Sequence, residues 1–64
     1  MRAEWAARCV GKMHRYAISQ AQLAEKLGLR REYVNAVLNC RVRPAGAEQR
    51  FKAALDALIK EGRA

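Results

Sequence analysis

The chain has 64 residues, enough for one small domain and too few for a large core together with a deep substrate cleft. Hydrophobic residues make up 52% of it, which excludes an intrinsically disordered chain. Thirteen Lys and Arg against six Asp and Glu give a net charge of +7, so a compact body of this composition attracts phosphate and other anions.

The first helix is predicted over residues 3–15. At about 100° per residue, Trp5, Ala6, Cys9, Val10, Met13 and Tyr16 share one half of the wheel, and Glu4, Arg8, Lys12 and Arg15 fill the other. Gly11 and His14 lie on the polar side, so His14 reads as a surface residue. Cys9 falls in the apolar stripe and reads as a buried thiol. The segment from Met1 to Cys9 carries Glu4 and Arg8 without an apolar run, so no secretory signal is expected. Cys9 and Cys40 form no metal-binding spacing, and reduced thiols in a cytoplasmic protein are expected.

The second helix, over 20–27, has the clearest start. Ser19 followed by Gln22 is the capping-box pattern, and Ile18 is placed to staple onto Leu23. Leu23, Ala24 and Leu27 form the inner face, and Gly28 stops the helix as a left-handed cap. The third helix, over 31–39, splits into an apolar side with Tyr33, Val34, Val37 and Leu38 and a polar side with Arg31, Glu32, Asn35, Ala36 and Asn39. Arg41, Arg43 and Pro44 fall in the next loop. The fourth helix, over 47–61, carries the stripe Phe51, Ala54, Leu55, Leu58 and Ile59, with Gly62 at its cap position. These elements make an all-α bundle around one core, a single domain over 1–64. No stretch approaches the ~20 apolar residues of a membrane span.

The segment 20–39, QAQLAEKLGLRREYVNAVLN, carries the functional signal. Ala24 is small where two helices approach, Gly28 turns the chain, and Leu29 plugs the turn. Leu23, Leu27, Val34 and Val37 anchor the two helices. The pattern is a short helix, a sharp turn and a helix with one polar face left over. Arginine pairs with guanine in a bidentate way, asparagine with adenine, and glutamate accepts from cytosine. Glu32 serves equally well as a partner of the helix dipole. Arginines at 30 and 31 oppose that dipole, which makes solubility a poor reason for them. Trp5, Tyr33 and Phe51 read as core or interface residues. No nucleophile, base and orienting group occur together, Ser19 is explained by capping, and no glycine-rich phosphate loop is present. The chain therefore reads as no enzyme, with no catalytic residues, no metal and no cofactor, and no effector site is visible.

The sequence resembles the Xre/Cro-like, lambda-repressor-like helix-turn-helix proteins of bacteria and phages. The resemblance rests on ISQ-x-QLAEKLGL, YVNAVLN and the basic loop with Pro44, and spans about Ile18 to Ile59. It implies a fold of four or five α-helices and a sequence-specific duplex DNA binder, a transcriptional regulator (repressor) of phage or prophage type, cytoplasmic in the bacterial cell or infected host. The third helix would enter the major groove, with Arg31, Glu32, Asn35 and Ala36 at base edges. Gln20, Arg30, Asn39, Arg41 and Arg43 would meet the backbone. The partner is double-stranded DNA, bound by a homodimer with half-sites about 34 Å apart. Two other readings stand beside this one: an architectural or recombination accessory protein, and a protein-interaction module such as a phage inhibitor or an antitoxin-like partner. Two positions depart from the family pattern. Arg30 stands where a serine or threonine cap is common. Cys40 stands where glycine is frequent, so a positive φ there would fall on Asn39 or Cys40 at some cost.

Overall fold

A computed structural model of the chain describes residues 3–62, and in it four helices account for most of the path: α1 (Glu4–Arg15), α2 (Gln20–Leu27), α3 (Arg31–Leu38) and α4 (Ala47–Gly62). All four contribute to one buried cluster. Ala6, Cys9 and Met13 come from α1, Leu23 and Ala24 from α2, Val34, Val37 and Leu38 from α3, and Ala47, Phe51, Ala54 and Leu55 from α4. The period-3.6 stripes read from the sequence are these faces. Trp5 packs edge-on against Phe51 with ring centroids 5.7 Å apart and planes at 81°, the T-shaped arrangement that aromatic quadrupoles favour. α2 packs on both α3 and α4, and α1 closes the other side against α4 and α3. The radius of gyration is 10.8 Å, close to the ~11 Å expected of a compact chain this long. No buried polar side chain occurs among the described residues, so the interior is held by apolar contact alone.

Helix boundaries follow local chemistry. Ser19 Oγ accepts the Gln22 N–H at 3.1 Å, while Gln22 Oε1 accepts the Ser19 N–H at 2.8 Å, so the capping box is complete. Arg30 occupies the cap position of α3 without a side-chain cap bond, as its chemistry dictates. α3 ends at Leu38, one residue short of the expected end, with Asn39 as its C-cap. Gly62 corrects an expectation. It is the last residue of α4 rather than a residue beyond it, and its φ is not positive.

α1, α2 and α3 all end in one hydrogen-bonded form, in which a left-handed residue turns the chain back. The N–H groups of Ala17, Gly28 and Cys40 reach the carbonyls of His14, Glu25 and Val37. The next N–H groups, of Ile18, Leu29 and Arg41, reach those of Met13, Ala24 and Ala36 at 2.8, 2.9 and 2.9 Å. This is the Schellman pattern. The turning residues have φ of 56° at Ala17, 71° at Gly28 and 60° at Cys40. Only Gly28 is a glycine, so two of the three turns hold an L-residue where its Cβ is disfavoured by about 1–2 kcal/mol. The positive φ anticipated near residue 40 falls on Cys40, and Asn39 escapes it. Gly46, with φ 74°, sets the start of α4 and accepts the Arg50 N–H at 3.1 Å.

Two aromatic expectations are overturned. Tyr16 follows the last turn of α1 and is 41% exposed, with the Arg15 guanidinium 5.9 Å from its ring centroid. Tyr33, expected in the core, is 39% exposed because the loop and the start of α4 leave a cleft beside it. His14 is exposed, as expected. Both cysteines are free. Burial raises the Cys9 thiol above its ordinary value, partly offset by Lys12 and Lys52. Cys40 is half-buried, and its Sγ accepts the Ala3 N–H at 3.0 Å.

Two outcomes follow from these turns and thiols. Ala17 is exposed, so Ala17→Gly relieves the left-handed strain without removing packing. It is expected to raise stability by about 1 kcal/mol and the thermal midpoint by roughly 4–8 °C; an unchanged or lower midpoint contradicts the strain. With a thiol-reactive dye at pH 8, Cys40 is expected to label promptly and Cys9 only on the timescale of unfolding. Equal rates contradict the burial of Cys9.

Candidate nucleic-acid interface

The first turn of α2 lies against α3, and three amide side chains join them. Asn35 Nδ2 donates to Gln20 Oε1 at 3.2 Å. Asn39 Nδ2 donates to the Asn35 carbonyl at 2.9 Å and to Asn35 Oδ1 at 3.2 Å. Gln20, Asn35 and Asn39 are each half-buried, so the chain of amides runs along the seam between the helices and not out into solvent. Asn35 and Asn39 are four residues apart on one face of α3, which is why they meet. The Gln20 bond is tertiary and fixes the start of α2 against the middle of α3. Residues assigned separately as backbone and base contacts are thus one connected set. Asn35 and Gln20 keep unused donor and acceptor capacity, because a side-chain amide offers two N–H groups and two lone pairs.

The remaining expected contact residues surround this seam. Arg30, Arg31 and Glu32, at the start of α3, are exposed. Ala36 is half-buried on the same helix. Arg41 and Arg43 are exposed on the loop beyond Cys40. The Schellman bond from the Arg41 N–H to the Ala36 carbonyl, 2.9 Å, fixes where that loop departs. The left-handed Cys40 is therefore the residue that sets the direction of Arg41. Val42, between the two arginines, is 39% exposed.

Charge is sorted around the molecule by the way the acidic residues are used. Glu4 pairs with Arg8, and Glu61 pairs with Lys26. Glu48 holds Lys52 at 3.0 Å, and Asp56 lies 3.8 Å from Lys12. Arg8, Lys12, Lys52 and Asp56 line one groove between α1 and α4. Positive charge there is largely matched. By contrast, Arg30, Arg31, Arg41, Arg43 and Arg50 make no ion pair among the described residues, and Glu32 is the one carboxylate on α3. The four pairs are exposed and each contributes about 1 kcal/mol or less to stability. Their consequence is electrostatic shape: of the seven described cations without an ion pair, five lie at α3, the following loop and the start of α4, and the other two are Arg15 and Lys60.

Sequence reasoning missed Arg50. It lies on α4, outside the short motif, and reaches the cleft that Arg30 and Tyr33 also line. Its position in the first turn of α4 gave no signal by itself, since its place beside the cleft required the tertiary fold. No group of His, Cys, Asp and Glu suited to a metal ion occurs among the described residues. No helix of the described residues is long and apolar enough to cross a membrane. In comparison with known proteins, no family model, no curated protein and no solved structure matches the chain.

Proposed function

We propose that the protein is a sequence-specific duplex DNA-binding domain of the lambda-repressor-like helix-turn-helix kind, acting as a transcriptional repressor of phage or prophage type. The observation that carries this reading is the seam itself: the amide network of Gln20, Asn35 and Asn39, flanked by arginines without ion pairs at both ends of α3. α3 enters the major groove. Its exposed Arg31 takes guanine, Asn35 takes adenine with the capacity that Gln20 leaves unused, Glu32 accepts from cytosine, and Ala36 makes room beside a methyl group. α2 lies across the backbone, and its N-terminal amides beside Gln20 meet a phosphate. Arg30, Asn39, Arg41 and Arg43 hold phosphates on either side, supplying affinity and register rather than sequence choice.

The amide network supports this reading in a second way. A side chain that reads a base must be held before it binds, since ordering it on DNA costs rotamer entropy. Gln20 and Asn39 hold Asn35 from both directions, so the recognition helix is set relative to the helix that grips the backbone. A module this small has little contact area, and a homodimer on two half-sites about 34 Å apart doubles it.

A matched pair of charge-neutralised variants tests the interface on an arbitrary duplex. Arg41→Gln with Arg43→Gln is expected to weaken binding by about tenfold or more at physiological salt and to reduce the salt slope by about two. Lys12→Gln with Lys52→Gln removes the same charge from the α1–α4 groove and is expected to change affinity by about threefold or less. Fluorescence anisotropy across a salt series reads both. Equal losses from the two double variants would show that net charge alone drives binding, and no binding by the parent protein sinks the reading.

A further inference from the structure

We infer that the cleft between the α2–α3 turn and the start of α4 binds a small organic anion with an apolar body, an aromatic or branched carboxylate. The inference goes beyond the DNA-binding reading and does not rest on it. The cleft has a volume of about 390 Å³, with Leu29, Pro44 and Phe51 supplying apolar lining. Small-molecule sites run from about 300 to 1,000 Å³ and combine such a lining with a few placed polar groups. Here the charged groups are all of one kind. Arg30 and Arg50 line the cleft, both are exposed, and neither has an ion pair among the described residues. No carboxylate lines it. The nearest acidic residue in sequence to Arg50, Glu48, is bound to Lys52.

Charge complementarity selects the ligand. Two guanidinium groups beside an apolar lining disfavour a cation and leave a neutral apolar ligand with no use for either arginine. A carboxylate takes the planar fork of arginine in a bidentate pair. The exposed Tyr33 lines the same space. α3 lacks a side-chain cap, so no side-chain acceptor competes with an anion for the amides of its first turn beside Arg30. The volume accommodates one ring with a short acidic arm.

Indole-3-acetate and tryptamine share a ring and differ in the sign of their charge, so they separate anion recognition from apolar adsorption. Both are titrated into nitrogen-15-labelled protein with no DNA present, and amide shifts are followed. Indole-3-acetate is expected to shift Leu29, Arg30, Tyr33, Ala47 and Arg50 in a saturable way, and tryptamine is not. Arg50→Gln, at an exposed position, is expected to keep the dispersed spectrum of the folded protein and to weaken indole-3-acetate by about tenfold. The inference is overturned by an absence of saturable shifts at the cleft, by equal binding of tryptamine, or by undiminished binding to Arg50→Gln. It is also overturned if the shifts centre on Trp5, Cys9 and Lys12 at the α1–α4 groove.

Discussion

One buried cluster around Phe51 carries the whole fold. Phe51 and Leu55 of α4 meet Leu23, Val34, Val37 and Leu38 of α2 and α3, with Ala6, Cys9 and Met13 of α1 closing the far side. A 64-residue chain has about 3–10 kcal/mol of stability in total. Truncating a buried phenylalanine to alanine costs about 3–5 kcal/mol, a large part of it. No polar side chain is buried among the described residues, so every group able to recognise a ligand lies on the surface or in the seams between helices. Function in this molecule is surface chemistry, and substitutions that probe it have to be made outside the cluster.

Within that constraint, two arrangements give the α2–α3 surface its character. Four of the six acidic residues pair with Arg8, Lys12, Lys26 and Lys52, and the arginines of α3 and the following loop make no ion pair among the described residues. The Gln20–Asn35–Asn39 amides fix α2 and α3 relative to each other at the same surface. Neither arrangement adds much to stability, because exposed ion pairs and part-buried neutral hydrogen bonds are each worth about 1 kcal/mol. Both are costly in sequence terms, since they fix several polar identities at once. The cleft at Arg30 and Arg50 adjoins this surface, and Arg30 belongs to both.

Legibility in the sequence tracked the range of the interaction. Local devices could be read directly. The capping box of Ser19 and Gln22, the left-handed Gly28 and the four apolar stripes all depend on residues within one or two turns of each other. Features that join distant segments were not legible. The Asn35–Asn39 contact is implied by helical spacing, but the Gln20–Asn35 bond needs the packing of α2 on α3. Arg50 joins the cleft only once α4 has folded back over the α2–α3 turn. The left-handed Ala17 had no signal at all, because alanine is the best helix former and marks no stop. Tyr33 was placed in the core from its wheel angle, and the angle was right about its neighbours. What it missed is that no element among the described residues fully covers that edge of α3.

The central claim is that α3 reads bases. Selection of bound duplexes from a random DNA pool at physiological salt tests it most directly, with the protein shown to be folded by its helical circular dichroism. The account predicts enrichment of an inverted repeat whose half-sites lie about one helical turn apart, and relaxation at one position of each half-site for Arg31→Ala. A pool that stays random would contradict it, leaving the unpaired arginines as an unspecific phosphate-binding surface.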